Sequence, residues 1–185
     1  MGMYTDLRGA VVLKDEYVEA IKTYMDDSIT DEDYDLLLEK YPILGEFEDI
    51  DRGGRGVFSQ ELDFYPLNEN QELFNPRVER KIWYFKSHIK DYRDPKYFVT
   101  PYEFLIETLI PLISEEIFLL ETQYEEYEGF FEQWCLDLDS GKTHVNIIKF
   151  VYDERPYGFN SVPKLNNIEK FENFKVEHGL EIWND

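Results

Sequence analysis

The sequence predicts an α+β domain in which an antiparallel sheet packs against a central helix at about residues 101–113, with two acidic helices near the N-terminus. Three observations predict this class: a well-marked helix start at Thr100, two amphipathic segments before residue 42, and alternating segments that end in a hairpin. The chain has 185 residues, of which 43% are hydrophobic and 17% aromatic. We therefore expect one domain, spanning residues 1–185, with a substantial core.

The central helix carries the clearest local signals. Thr100 is a good N-cap, Pro101 suits the first helical position, and Glu103 lies three residues after the cap, which together predict a capping box. The apolar residues that follow cover too wide a surface for a helix lying on water: Phe104, Leu105, Ile106, Leu109, Ile110, Leu112 and Ile113. We expect Pro111 to kink or end the helix near Ile110, and a turn at residues 114–116.

The N-terminal third predicts a strand at residues 9–14 followed by two helices. The first helix begins at about Asp15, and its apolar residues fall on one face: Tyr17, Val18, Ile21, Tyr24 and Met25. The second is capped by Thr30, with Asp33 three residues later, and ends before Pro42. Residues 52–56 (RGGRG) predict a flexible connector that supplies positive-φ positions, and residues 57–65 an extended segment.

Further strands follow from alternation. Residues 78–89 predict one strand, with Trp83 and Phe85 on one face and Ile82 and Tyr84 on the other. Residues 117–124 favour a strand, with a helical extension as the alternative. Residues 130–138 and 143–152 predict a hairpin around a turn at residues 139–142. A short helix is expected near residues 168–174, and an extended piece at 180–183.

Charge is the strongest global property. The chain has 40 acidic and 19 basic side chains, a net charge of −21 and a pI near 4.4. Such a field repels nucleic acid and anionic lipid and attracts positively charged partners, so we expect no direct nucleic-acid binding. Residues 15–51 hold 14 acids against Lys22 and Lys40, and residues 115–139 hold nine acids without Lys or Arg. Solubility alone is the other explanation of these acids. The basic residues concentrate between 77 and 96, where we expect them to pair with the protein's own carboxylates.

Membrane and secretory signals are missing from the sequence. No apolar run reaches about 18 residues, and Asp6 and Arg8 interrupt the N-terminal apolar stretch. The single cysteine, Cys135, cannot form an internal disulfide and is expected to be buried. These observations predict a cytoplasmic protein.

Motifs for catalysis, metals or cofactors are weak, and we expect no enzyme activity, no metal and no cofactor. Residues 140–143 (SGKT) resemble the end of a phosphate-binding loop, but Leu136 stands where that loop needs glycine, so a hairpin turn is the better interpretation. His88, His144 and His178 have no metal-like spacing. Acid pairs are too abundant to indicate an active site.

Surface recognition is the remaining interpretation, because aromatic anchors mixed with carboxylates suit a partner rich in Lys and Arg. The predicted partner-binding residues form two groups: Asp26, Asp27, Asp31, Glu32, Asp33 and Asp35, then Tyr124, Glu125, Glu126, Tyr127 and Glu128. For both groups, a solvated acidic loop is the competing interpretation.

Residues 83–127 carry a family resemblance. An aromatic strand ending in Lys90-Asp91-Tyr92, a helix ending in residues 109–116 (LIPLISEE) and the run Tyr124-Glu125-Glu126-Tyr127 resemble small acidic bacterial immunity-type proteins, which neutralise secreted toxins. The resemblance implies that the chain binds a basic toxin or nuclease and blocks its active site without doing chemistry. Three alternatives stay open: a phage-type antagonist that mimics the charge of DNA, a carboxylate-based hydrolase, and a structural or assembly role, which exposed aromatics forming a self-complementary patch would indicate.

Overall fold

An antiparallel sheet of six strands forms one layer of the protein. The computed structural model describes residues 4–58, 75–124, 130–137 and 140–149. The strands are β1 (Thr5–Leu13), β2 (Arg77–Glu79), β3 (Ile82–Ile89), β4 (Ser114–Tyr124), β5 (Phe130–Asp137) and β6 (Lys142–Lys149). Their order across the sheet is β2-β3-β1-β4-β5-β6, so β1 lies inside the sheet between β3 and β4. The predicted α+β class is confirmed.

Helices cover one face of this sheet. They are α1 (Asp15–Tyr24), α2 (Asp31–Lys40), α3 (Pro42–Asp49) and α4, whose successive segments are Pro101–Phe104, Leu105–Leu109 and Ile110–Ile113. The two predicted N-terminal helices are confirmed, and Thr30 caps α2 by accepting a hydrogen bond from the Asp33 N–H at 3.2 Å. Helix α3 was not predicted. Pro42 ends α2 and, because its fixed φ suits a first turn, also begins α3.

Helix α4 begins at Pro101 and ends at Ile113, as predicted, and it passes Pro111 without ending there. Thr100 accepts from the Glu103 N–H at 3.1 Å, and the Glu103 carboxylate accepts from the Thr100 N–H at 2.9 Å, which completes the capping box. The segment Leu105–Leu109 is a π-helix, in which the Ile110 N–H bonds to the Leu105 carbonyl. This wider turn accommodates Pro111, so the helix runs on to Ile113. The predicted turn at residues 114–116 is wrong, because β4 begins directly at Ser114.

The predicted strand at residues 78–89 is two strands. Arg80 adopts φ 57° in a two-residue turn, and β2 folds back on β3 with Glu79 opposite Ile82. Alternation is preserved on both sides of this turn, so the sequence pattern did not reveal the break. The strand predicted at residues 117–124 is confirmed, with an earlier start. The predicted final hairpin is also confirmed: Gly141, at φ 64°, donates to the Asp137 carbonyl at 2.8 Å.

The hydrophobic core lies between the helices and the sheet. Leu7, Val11 and Leu13 of β1 face the helical layer together with Trp83 and Phe85 of β3. The ring of Phe85 lies directly over Gly9, where a Cβ would come within 2.3 Å of it. The central strand therefore carries glycine at the point where an aromatic ring crosses it.

The other face of the sheet buries charge. Asp6 and Arg8 of β1, Lys86 and His88 of β3, and Glu121 of β4 are all buried; we call them the sheet charges. The register sets Arg8 between Lys86 and Glu121, and Asp6 opposite His88. Arg8 Nη2 lies 2.7 Å from Glu121 Oε2, and His88 Nδ1 forms a very short hydrogen bond with Asp6. Burial lowers the pKa of Arg8, and the Glu121 carboxylate opposes that shift.

Several sequence predictions fall wholly or partly on residues that the structure does not describe. The extended segment predicted at residues 57–65 is wrong at its start, because Val57 belongs to a 3-10 turn, Arg55–Val57. Its remainder after residue 58, the helix predicted near 168–174 and the piece at 180–183 lie outside the described residues. The same holds for the ends of the final hairpin, at residues 138 and 150–152, and for the Cys135 side chain. The predicted pairing of the basic segment is observed at Arg77, Lys81, Arg93 and Lys96.

Candidate functional site

The first group of predicted partner-binding residues forms one exposed surface at the connection between α1 and α2. We call this surface the acidic turn; all six of its carboxylates are exposed: Asp26, Asp27, Asp31, Glu32, Asp33 and Asp35. Among the residues that the structure describes, none of the six has an ion-pair partner within 4.0 Å. Carboxylates in this state keep their charge available to another molecule.

Two of these acids also shape the turn. Asp26 accepts from the Ser28 N–H at 2.9 Å and from the Ser28 hydroxyl at 2.7 Å, and these hydrogen bonds hold the pKa of Asp26 below its usual range. Asp33 accepts from the Thr30 hydroxyl at 2.7 Å. Asp27, Asp31, Glu32 and Asp35 have no such hydrogen bond within the described part of the chain. They are therefore the residues to change when recognition is tested separately from folding.

A shallow hollow of about 480 Å³ lies beside the acidic turn. Ile29, Leu36 and Leu37 supply its apolar lining, and the Leu36 side chain is unusually open to solvent for leucine, at 57% exposure. Asp26 and Asp33 also line the hollow. An apolar surface next to carboxylates suits a long basic side chain, whose stem is hydrocarbon and whose end is charged.

A second cleft, of about 500 Å³, lies on the other side of the turn. Its lining residues are Met25, Asp27, Glu48, Gly53, Arg55, Gly56, Phe58 and Pro76. The predicted flexible connector, residues 52–56, contributes three of them. The positive-φ positions predicted for the connector are observed, with Arg52 at φ 64° and Gly54 at φ 74°.

The Glu48 carboxylate forms hydrogen bonds to several of the elements around this cleft. Its Oε1 atom accepts from the Tyr24 hydroxyl at 2.7 Å, from the Arg55 N–H at 2.8 Å and from the Tyr34 hydroxyl. Burial, reinforced by Glu48, raises the pKa of both phenols above the usual range. The Arg55 guanidinium lies 4.5 Å from the centre of the Tyr34 ring. These contacts join α1, α2, α3 and the connector, and they support the acidic turn. We call the set formed by Glu48, Tyr24, Tyr34 and Arg55 the Glu48 network.

The second group of predicted residues is not brought to this surface in the described part of the chain. Tyr124 ends β4, where its backbone lies opposite Thr5, and residues 125–128 lie outside the described residues. Leu36, Glu48 and Arg55 were not predicted from the sequence as residues of this site. The Gly53-Gly54 pair was a usable signal for the support, because glycine at positive φ indicates close approach of the backbone, and a Cβ on Gly54 would lie 2.3 Å from Glu48 Oε2.

Two observations on the described residues bear on metal binding and acid–base chemistry. No group of three or more His, Cys, Asp or Glu side chains among them is arranged to hold a metal ion. Burial raises the pKa of one carboxyl group, that of Asp91, but this side chain accepts from the Thr100 hydroxyl at 2.7 Å and from the Tyr102 N–H at 3.0 Å. Asp91 thus holds the start of α4 and lines neither hollow.

In the described segments, no helix has the length and hydrophobicity needed to cross a bilayer. Comparison with family models, curated proteins and solved structures gave no match.

Proposed function

We propose that this chain is a non-enzymatic binding protein whose acidic turn engages a basic protein, and that it acts in the cytoplasm as an immunity or inhibitor protein against a basic toxin or nuclease. One observation carries the proposal. Asp27, Asp31, Glu32 and Asp35 are exposed without a cationic partner in the described residues. Asp26 and Asp33 of the same turn line a hollow together with apolar side chains.

The exposed carboxylates and the apolar hollow would contribute differently to binding. Exposed carboxylates speed the encounter with a basic partner and set its orientation, but they add little affinity by themselves. Affinity comes from burying apolar surface, here Leu36 and Ile29 of the hollow. The Glu48 network keeps the surface in place before binding, which reduces the entropy lost on association.

The hydrolase alternative has less support. It requires two or three converging acids in a cleft, with a raised carboxyl pKa. Asp27 and Glu48 do line one cleft, but Oε1 of Glu48 already accepts three hydrogen bonds, and the acid whose pKa burial raises, Asp91, lies at the start of α4.

The DNA-mimic alternative has one observation in its favour. Asp31, Asp35 and Glu39 are exposed and follow one another at every fourth position of α2, about 6 Å apart along the axis at 1.5 Å per residue. A DNA-mimic needs such a row to extend over an elongated surface. This row covers only about 12 Å. The DNA-mimic function would be favoured if the partner proved to bind DNA in a groove several helical turns of DNA long and this chain blocked that groove.

The test is capture of the partner from the native lysate with matched variants. The turn variant carries Asp27→Asn, Asp31→Asn, Glu32→Gln and Asp35→Asn. The control variant also loses four negative charges, by Glu16→Gln, Glu46→Gln, Asp51→Asn and Glu107→Gln, all of which are exposed positions outside the acidic turn and the α2 row. We expect wild type and control to retain one basic protein stoichiometrically, and the turn variant to lose it.

The captured protein then decides the type of function. If it is a nuclease or toxin, its activity should fall when the wild-type chain is added in equimolar amount and should be unaffected by the turn variant. Equal loss from turn variant and control would show that bulk charge rather than the acidic turn is responsible. Equal retention by all three chains would show that the partner binds another surface.

A further inference from the structure

Phe98 lies in an unfavourable and exposed position. Its φ is 60°, in the left-handed region that residues other than glycine rarely adopt, and 71% of its surface is open to solvent. Glycine or asparagine would occupy this position with less backbone strain. An exposed phenylalanine at such a position is a candidate for contact with another molecule.

The loop around Phe98 does not need the phenyl ring for its own structure. The Asp94 carboxylate accepts from the N–H groups of Asp51, Lys96 and Tyr97 at 2.9, 2.6 and 2.7 Å. The Asp94 N–H donates to the Val99 carbonyl at 2.8 Å, and the Phe98 N–H donates to the Asp94 carbonyl at 2.9 Å. All these bonds involve backbone atoms or Asp94. These hydrogen bonds define the loop conformation without the ring, which is exposed to solvent.

Two cationic side chains precede Phe98 in the same loop. Arg93 and Lys96 are 61% and 70% exposed, although they also contact Glu103 and Asp49 at 2.9 and 3.8 Å. Pairs this open to water are weak and exchange readily with other anions. The Phe98 loop, residues 93–98, therefore presents an apolar tip with two available cations.

The acidic turn has the complementary features. Its hollow, of about 480 Å³, combines the apolar Ile29, Leu36 and Leu37 with the carboxylates of Asp26 and Asp33, which outnumber the single cation of the lining, Lys40. Within one copy both Phe98 and Leu36 stay exposed, so the loop does not fill the hollow of its own chain. We propose that the Phe98 loop of one copy docks into the hollow of a second copy, with Arg93 and Lys96 facing the carboxylates of the acidic turn.

Net charge limits the strength of this self-association. Two copies at −21 each repel one another, and the contact is anchored by one ring. At 0.15 M salt the screening length is about 8 Å, so distant charges are screened while contacts at the docking site are less affected. Small interfaces of this kind are weak, so we expect dissociation constants on the order of 0.1 mM.

The experiment is sedimentation equilibrium from about 10 µM to about 1 mM in 0.15 M salt, a range that brackets a weak contact. Wild type should rise above the monomer mass of 22.3 kDa as concentration increases. Phe98→Asn removes the ring, and Leu36→Lys places a cation in the hollow. Each variant alone should remain monomeric. Because Phe98→Asn keeps the hollow and Leu36→Lys keeps the ring, an equimolar mixture should recover association, with a limit at the dimer.

A fold control accompanies these variants. Phe98→Asn should unfold at a temperature no lower than wild type, because asparagine tolerates the left-handed conformation. A wild type that stays at the monomer mass, a Phe98→Asn variant that associates like wild type, or a mixture that stays monomeric would each overturn the proposal.

The inference stands apart from the partner function, although both use the acidic turn. Phe98→Asn leaves the turn intact and should still capture the basic partner from a lysate. Failure of self-association with capture retained removes only this inference. Failure of capture with self-association retained removes only the proposed function.

Discussion

The sheet charges and the acidic turn use the same residue types in opposite ways. Arg8 and Glu121 are 1% and 0% exposed and bonded to one another, whereas the acids of the turn point to water without a cation among the described residues. A charge buried with its partner contributes to one particular arrangement of strands, and an exposed charge leaves the fold nearly indifferent to its presence. Burial therefore separates Glu121 from the four acids of the turn that have no hydrogen bond among the described residues. Asp26 and Asp33 are exposed acids that also shape the turn.

Taking one partner out of the buried pair should have the largest effect on stability. Glu121→Leu leaves the Arg8 guanidinium buried without its carboxylate, and we expect a loss of about 3–5 kcal/mol in the free energy of unfolding, measured with urea. The matched control is the double variant Arg8→Met/Glu121→Leu. It should regain most of this loss, because replacing both charges removes the unpaired one. A single variant as stable as the double variant would contradict the buried-pair account.

A smaller loss is expected at Gly54, which packs on Glu48 in the network that supports the acidic turn. Alanine there would be strained at φ 74° and would bring its Cβ within 2.3 Å of Glu48 Oε2. We expect Gly54→Ala to lower the free energy of unfolding by about 2 kcal/mol. Gly56→Ala is the control, since nothing lies within 4 Å of its Cβ position. It should be neutral or slightly stabilising, and equal losses at the two glycines would show that crowding at Glu48 is not the cause.

The pH dependence of stability should reveal a carboxylate that is structural although it belongs to a surface loop. Hydrogen bonds from the Asp51, Tyr97 and Lys96 N–H groups hold the pKa of Asp94 below its usual range. A depressed pKa stabilises the fold above the unfolded-state value of about 4, and this stabilisation is lost as pH falls through the folded-state value.

Asp94→Asn tests that sign. The variant should be less stable than wild type at pH 6, and the difference should narrow steadily below about pH 4, where the wild-type carboxyl group takes up its proton. The measurement is urea unfolding at a series of pH values. A difference that is constant with pH would mean that the Asp94 charge does not stabilise the loop.

The smallest effect belongs to the acidic turn itself. Asp35 is exposed, and Asp35→Asn should change the free energy of unfolding by no more than about 0.5 kcal/mol. Urea unfolding checks this directly. A loss of several kcal/mol would mean that this acid has a structural partner and would remove the contrast with the sheet charges.

Local signals predicted much of this fold. Thr100, Pro101 and Glu103 act within one turn of helix, and the capping box formed as expected. Thr30 likewise marked the start of α2. Two local features were not predictable in this way, because they leave the hydrophobic pattern unchanged: the π-helical turn before Pro111 and the return of the chain at Arg80. Contacts between residues far apart in sequence were not predictable either.

The candidate site likewise has a part that was predictable from local sequence and a part that was not. The exposed acids of the α1–α2 connection follow from composition and helix boundaries. Their support does not, because Glu48 meets Tyr24, Tyr34 and Arg55 only after three helices have packed. The burial of Arg8 against Glu121 is hidden for a similar reason: β1 and β4 are 113 residues apart at this pair, and a charged residue on a strand normally indicates a solvent-facing position.

The most direct test of the account is the affinity of the captured basic partner for wild type, the turn variant and the four-charge control variant, measured by calorimetry at 0.05 and 0.3 M salt. We predict that the turn variant binds at least about tenfold more weakly, a loss of about 1.4 kcal/mol or more, while the control stays within about threefold of wild type. Wild-type affinity should fall with salt more steeply than that of the turn variant. Equal weakening of turn and control variants would contradict the claim that the acidic turn is the recognition surface.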